Sequence, residues 1–589
     1  MNILGLSAFF HESACCLLQD GRLVAAASEE RFSRVKHDPR LPVDAFRHCL
    51  EAGGIDLTEV DCLAYYERPV AKLGRQLWSG TPASVAGGAW LDPRGALRLL
   101  RERLGYDGPI RTFDHHASHA ASAFFFSGFE EAAVLTADGV GEWATTTLGH
   151  GRGAHLELLA ETQFPHSIGL LYSTVTAYLG FEVNDGEFKV MGLAPYGEPT
   201  LADRLSRLVR IGDGGRYALD TRFFAYPVGE RMHSPLFEEL VGFPPRRPGE
   251  PLEAHHHDLA RSVQLVLESL LLELVDELRR RTGAEDLCFA GGVALNCVAN
   301  ARLLREGPFR RLFVPPAAGD AGGAVGAAAL AHVELTGERP AVAPLCSAGL
   351  GPAFSPDHVA AVVRATDLPA EDYRGRTVDL LERVADALAE RRVVGWFHGP
   401  MEFGPRALGA RSILANPMDP GIRDRLNALV KKREAFRPFA PSVLAAQAGR
   451  HFDLDHPSPF MLETCQVRSA LELPGITHVD GSARPQTVHP ETSPRFAALL
   501  EAFHRRTGCP MLVNTSFNVR GEPIVCTPVD ALFCFVDAGL DLLVLEDFVL
   551  RREDLPAELP ELLAPWRTRQ RSGFAGRKTA VPGPLYTFV

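Results

Sequence analysis

The chain has 589 residues, 46% of them hydrophobic and 23% charged, a balance that excludes a disordered or collagen-like protein and a single small module. Lys plus Arg number 61 against 73 Asp plus Glu, and this net charge of −12 argues against a general electrostatic grip on nucleic acid or anionic lipid. Eleven cysteines without a CxxC spacing read as free thiols in a reducing cytoplasm rather than a disulfide framework or zinc site.

Residues 2–7 predict a first strand. The opening MNILGLSAFFHESACC has no basic leader, and His11 and Glu12 break its apolar stretch before it reaches the length of a secretion signal. ACCLLQDGRLVAAASEE follows as two apolar runs joined at Asp20-Gly21, a hairpin signal. At 132–159 the design returns: an apolar strand ending at Asp138, a glycine turn, then two further strands. The repeat predicts two related α/β lobes, the plan on which the actin-like nucleotide-binding fold is built.

Residues 257–283 read as a long amphipathic helix, followed by the strand LCFA, Gly291-Gly292 and the helix-forming ALNCVANARLLRE. A further strand, RLFVPP at 311–316, leads into AAGDAGGAVGAAALAHVE, whose small residues suit a helix lying close against its neighbours. No stretch approaches the roughly 20 apolar residues that span a bilayer. ERPAVAPLCSAGLGPAFSPDH is rich in Pro and Gly and marks a boundary. The expected division is an α/β domain of two lobes over 1–336, a linker over 337–357, a smaller α/β domain over 358–565 and a basic tail over 566–589.

Three groups of residues carry chemistry. FDHHASHAASAF sets His115 and His119 at i, i+4, on one face if the stretch is helical, and Asp138 and Asp320 stand at loop positions that can complete a metal site. Two imidazoles with carboxylates suit iron, manganese or zinc alike. His116 points elsewhere on a helix, and the run His255-His256-His257-Asp258 precedes a helix without a glycine-rich context. Gly139, Gly141, Gly291, Gly292, Gly322 and Gly323 lie in loops that can hold nucleotide phosphates through backbone amides.

The second domain has the densest signal. Arg406, Arg411, Lys431, Arg433 and Arg437 crowd into little more than thirty residues, interleaved with Leu408, Phe436 and Phe439, which points to a buried phosphate pocket rather than a solvated face. Arg484 in ARPQTV and Asn514, Ser516 and Asn518 in NTSFNVRGEPIV fit the same pocket. The absence of GxxxxGKS, GxSxG and HExxH removes the main supports for P-loop, serine-hydrolase and zincin chemistry.

Taken together, NILGLSAFFHESA, DHHASHAASAF, GEFKVMGLAPYG, GGVALNCVAN, PPAAGDAGGA, GPRALGARSIL, VKKREAFRPFAPS, ARPQTV and NTSFNVRGEPIV resemble the O-carbamoyltransferases of antibiotic tailoring and nodulation-factor decoration. The resemblance runs from residue 2 to about 525. It implies an actin-like N-terminal domain similar to the tRNA threonylcarbamoyl-transferase, with a metal, expected to be Fe(II) with Mn or Zn as alternatives, on His115, His119, Asp138 and Asp320. It implies a second domain similar to threonylcarbamoyl-adenylate synthase, in which Arg406, Lys431, Arg437, Arg484 and Ser516 hold carbamoyl phosphate and ATP with its Mg.

The implied reaction makes carbamoyl adenylate and passes the carbamoyl group to an acceptor hydroxyl. His11 is the candidate base, and Lys431 and Arg484 serve the adenylate step. The family motif commonly reads His-Asp where this chain has His11-Glu12, which leaves the acid's role open. Lys189 and Asn296 are placed among the nucleotide contacts. The competing readings are an actin-like small-molecule kinase, which leaves the second cation pocket unexplained, and a nucleotide-responsive binding protein without turnover. A tRNA-modifying role lacks an evident basic arm. The expected partners are ATP, carbamoyl phosphate and a small hydroxyl acceptor, with neither nucleic acid nor membrane.

Overall fold

The computed structural model describes residues 1–79, 94–227, 231–340, 343–431, 434, 436–561 and 563. The expected basic tail and Arg433 lie outside these residues. The chain forms two compact units. One is made of the described residues of 1–29 and 37–345, the other of residues 30–36 together with the described residues from Cys346 to 563.

The first unit is built from two five-stranded sheets of the same topology. In spatial order, one contains Arg22–Ser28, Ala14–Gln19, Asn2–Ser7, Cys62–Tyr65 and Ile110–Thr112. The other contains His155–Gln163, Ala144–Arg152, Glu131–Ala137, Asp286–Ala290 and Arg311–Phe313. In each, the first three strands form an antiparallel meander and the last two run parallel to its innermost strand. This matched order is the duplication that the sequence repeat predicts. The Asp20-Gly21 turn has φ of 48° and 76° at its two residues, the left-handed pair that a tight hairpin requires.

The helix Asp320–Thr336 holds the unit together through backbone approach rather than large side chains. A β-carbon on Gly5 would stand 2.0 Å from the Ala324 carbonyl oxygen, and one on Gly326 would stand 1.7 Å from that of Ser118. Ser118 belongs to the helix His115–Phe124, so Gly326 sets the distance between the two helices that carry His119 and Asp320. Gly326→Ala is expected to cost about 3 kcal/mol or more, since the clash is with backbone that has no rotamer to change. Bound metal is expected to fall in parallel. Thermal melting combined with metal analysis checks both.

The long helix predicted at 257–283 spans Ala254–Thr282. The run His255-His256-His257 therefore lies in its first turn rather than before it, with His256 Nδ1 accepting the Glu253 N–H. Lys189, expected beside a turn, lies in the short helix Glu187–Leu193.

The second unit contains an eight-stranded mixed sheet in the order Glu371–Asp372, Phe548–Arg551, Leu542–Leu545, Val394–Phe397, Arg411–Ala415, Met511–Ser516, Ala440–Leu444 and Gln486–Val488. Its central strand Val394–Phe397 is wholly apolar or small and buried, with Trp396 and Phe397 at 0% exposure, as a strand covered on both faces should be. The helices Thr377–Ala389 and Pro494–Thr507 lie beside one another, joined at the surface by Arg506 with Glu382 and Asp386. Residues 30–36 belong here: Arg31 donates to the Gly404 carbonyl at 2.8 Å, and Arg34 donates to those of Pro523 and Ile524. No helix among the described residues is long and apolar enough to cross a membrane.

Candidate functional site

Helix His115–Phe124 places His115 and His119 on one face, as the i, i+4 spacing requires, and both are at most 2% exposed. Their Nε2 atoms are 3.0 Å apart. Asp138, at the end of strand Glu131–Ala137, puts Oδ2 3.2 Å from each of them. Asp320, the first residue of its helix, brings Oδ1 to 3.6 and 3.5 Å. All four ligand atoms lie within 4.8 Å of one another. Burial pulls the His119 pKa down, but Asp138 and Asp320 outweigh it and push it up to about 9. Burial works against the Asp138 charge too, and the two imidazoles nonetheless hold its carboxyl well below the usual range.

A divalent cation fits this donor set. Two converging imidazole nitrogens and two carboxylates cannot all be satisfied by one another's protons, and Asp320 Oδ2 is buried with no hydrogen-bond partner among the described residues. The neighbouring His116 turns away and bonds Thr136 Oγ1 at 2.6 Å, and burial keeps it neutral by lowering its pKa far below 6.5. Glu142 supports the helix start by accepting the His115 and Arg68 N–H groups. The short GVGEW turn holds this residue, and only the structure reveals its reach.

The predicted phosphate glycines have a different local use. Gly139 and Gly292 donate to Asp138 Oδ1 at 2.8 and 3.2 Å, Gly141 donates to the Ala144 carbonyl, and Gly291 to that of Ala318. With these amides engaged inside the chain, the four positions offer a ligand close approach rather than open donors. Asn296 is similarly committed. It caps the helix Cys297–Glu306 and exchanges hydrogen bonds with Gln264. Lys189 is half-buried, with its ammonium 5.5 Å from the centre of the Phe181 ring.

His11 lies in the loop after strand Asn2–Ser7, half-buried, with Nδ1 lacking a hydrogen-bond partner among the described residues. The adjacent Glu12 reaches the residue before Asp320: a β-carbon on Gly319 would stand 3.1 Å from Glu12 Oε2. The loop carrying His11 is thereby brought against the metal-ligand helix.

In the second unit, strand register gathers the predicted anion ligands. Ser412 pairs with Ser516, Ala440 with Asn514, and Ser442 with Gln486. Consequently the starts of Arg411–Ala415, Ala440–Leu444 and Gln486–Val488 and the end of Met511–Ser516 share one end of the sheet. Arg406, Arg437, Arg484 and Ser516 all belong to chain entering or leaving at that end. Ser516 Oγ donates to Asn518 Oδ1, and Arg437 is 3.6 Å from Glu434. Arg484 is half-buried and makes no hydrogen bond or ion pair among the described residues. The backbone of Lys431 closes the turn Asn427–Lys431, while its side chain lies outside what is described.

Arg411 departs from the expectation of a phosphate ligand. It is 0% exposed, stacks over Phe397 at 3.6 Å and donates to the carbonyls of Pro352, Gly399 and Ala410. Its partners are carbonyls because the side chain turns into the core beside its own strand. Glu402, also missed by sequence reasoning, accepts the N–H groups of Leu408, Ala410 and Arg411 on one carboxylate oxygen and shapes the loop bearing Arg406. Glu402→Ala leaves those donors without their acceptor and is expected to destabilise the fold by about 3 kcal/mol. Chemical denaturation measures it. His398 and Glu546, bonded at 2.6 Å, end two further strands at this same end of the sheet.

Two family models cover most of the chain: the carbamoyltransferase N-terminus over residues 2–77 and 93–329, and the carbamoyltransferase C-terminus over 385–552. The chain belongs to the carbamoyltransferase family. It is 47% identical to an uncharacterized protein of Synechocystis, over 94% of this chain and 97% of that one. Nodulation protein NolNO of Sinorhizobium fredii is 39% identical over 94% of this chain and 80% of its own length. The 3'-hydroxymethylcephem-O-carbamoyltransferase of Amycolatopsis lactamdurans is 29% identical over 92% and 98%. This carbamoyltransferase is thus an enzyme of a family whose members span both of its units.

Proposed function

We propose that this enzyme is an ATP-dependent O-carbamoyltransferase that works in two steps. Carbamoyl phosphate and water give carbamate and phosphate; carbamate then attacks the α-phosphorus of ATP, forming carbamoyl adenylate and releasing pyrophosphate. In the second step an acceptor hydroxyl attacks the carbamoyl carbon, and AMP leaves. The acceptor is a hydroxyl on a natural product or a sugar, in line with the hydroxymethyl acceptor named for the cephem relative. The free cysteines fit a cytoplasmic enzyme of secondary metabolism, antibiotic biosynthesis included.

The observation that carries this reading is the convergence of Arg406, Arg437, Arg484 and Ser516 at one end of the second unit's sheet. Two phosphate-bearing substrates concentrate negative charge, and fixed guanidinium groups stabilise it as the leaving groups develop more. We assign the adenylate step to this unit, in the manner of threonylcarbamoyl-adenylate synthase, with Lys431 completing the cation set and Mg accompanying ATP.

Transfer belongs to the first unit. His115, His119, Asp138 and Asp320 would hold a divalent metal, of which Fe(II), Mn and Zn all suit the ligands, and when bound it supplies Lewis-acid polarisation of a carbamoyl or phosphate oxygen. His11, whose Nδ1 has no hydrogen-bond partner among the described residues, takes the proton from the acceptor hydroxyl. The glycines at 139, 141, 291 and 292 would let the nucleotide approach the backbone closely, and we assign Lys189 and Asn296 to the nucleotide contacts.

His11→Asn is therefore expected to retain carbamoyl-adenylate formation and to lose transfer by about 10²–10⁴-fold. Separate assays of pyrophosphate release and of carbamoyl transfer from supplied carbamoyl adenylate test the division. Restoration of transfer in His11→Asn by the supplied intermediate would assign His11 to the first step and contradict it.

A further inference from the structure

A second group of metal-ligand atoms lies near the first. Outside the His115 cluster, the described residues contain one more set with donor atoms all within 4.8 Å: His11, Glu12 and His37. All three residues are half-buried. The His11 and His37 rings are 5.2 Å apart and tilted by 30°, close without being stacked flat. His37 Nδ1 is 3.4 Å from Glu12 Oε1, and its Nε2 is 3.4 Å from Asp185 Oδ1.

We propose that His11, Glu12 and His37 form a second divalent-cation site whose occupancy withdraws His11 from proton transfer. Two imidazoles and one carboxylate are a donor set for borderline cations such as Zn(II), Co(II) and Ni(II). Asp185 supplies the outer support that such sites use. A carboxylate at Nε2 fixes the proton there and leaves the Nδ1 lone pair directed toward Glu12's side. On His11 the buried Nδ1 has no hydrogen-bond partner among the described residues.

Two of the three residues also stand in left-handed backbone. Glu12 and His37 have φ of 60° and 53°, a left-handed conformation that non-glycine residues adopt at a cost of about 1–3 kcal/mol each.

The inhibitory consequence rests on His11 acting as the transfer base; the site itself does not. Metal-free enzyme without an affinity tag is titrated with cobalt chloride, and bound metal per chain is followed together with visible absorption. Wild type is expected to take two equivalents, His37→Ala one and His119→Asn one, with Asp185→Asn weakening only the second site by about 10–100-fold. Saturation of wild type at one equivalent, unchanged in His37→Ala and lost in His119→Asn, would overturn the proposal. A single equivalent lost in His37→Ala and kept in His119→Asn would support this site and sink the first. In a parallel arm, the second equivalent of Zn(II) is expected to stop transfer from supplied carbamoyl adenylate while sparing pyrophosphate release. Two bound equivalents with unaltered transfer would overturn the role given to His11 and leave the cation site standing.

Discussion

Asp138→Asn is expected to empty the metal centre and to lower carbamoyl transfer by about 10²–10³-fold, while carbamoyl-adenylate formation continues. The reason is local. One Asp138 oxygen lies 3.2 Å from both imidazole nitrogens, and the other accepts the N–H groups of Gly139 and Gly292. An asparagine keeps the carbonyl toward those two amides and must then turn its NH2 toward the cluster, where it can neither bind a cation nor offset one's charge. The fold should tolerate the change, since the glycine contacts persist. Metal analysis and the two half-reactions, measured on the same preparation, check it. Metal retained at the wild-type level would remove Asp138 from the ligand set.

Arg484→Ala carries the second large effect, on the other half-reaction. Its guanidinium is half-buried and makes no hydrogen bond or ion pair among the described residues, so its removal breaks nothing within the chain. Melting temperature is expected to stay within a degree or so of wild type. Loss of charge-assisted hydrogen bonds to a phosphate costs about 1.5–3 kcal/mol, equivalent to about a 10- to 150-fold drop in kcat/KM for carbamoyl phosphate. Arg484→Lys should recover little of it, because an ammonium cannot reproduce a two-pronged contact with phosphate oxygens. A stability loss with unchanged kcat/KM would make Arg484 a structural residue.

These effects separate what sequence makes visible from what it does not. The His115/His119 spacing and the Asp20-Gly21 hairpin are local signals, governed by helical periodicity and turn conformation, and the structure realises both. The repeated strand and hairpin likewise becomes two sheets of one order.

Arg411 was opaque because its neighbours in sequence are those of a phosphate-binding arginine, while its direction depends on the carbonyls of Pro352 and Gly399. Glu402 and Glu142 act by accepting backbone N–H groups from distant segments, for which no spacing rule exists. The transfer of residues 30–36 to the second unit is equally nonlocal, since Arg31 and Arg34 find their acceptors more than 370 residues further along. The His11, Glu12 and His37 cluster is hidden for the same reason: its third member is 25 residues from the second, beyond the hairpin of Ala14–Gln19 and Arg22–Ser28, and no spacing rule links them.

The central claim is that the enzyme activates the carbamoyl group as an adenylate before transferring it. The direct measurement is nucleotide product analysis with purified enzyme, ATP labelled at the α-phosphate, and carbamoyl phosphate either present or withheld. The account predicts carbamoyl adenylate or its product AMP, with one pyrophosphate released for each carbamoyl phosphate consumed and no turnover when it is withheld. ADP as the sole nucleotide product, formed whether or not carbamoyl phosphate is supplied, would contradict it and leave a kinase.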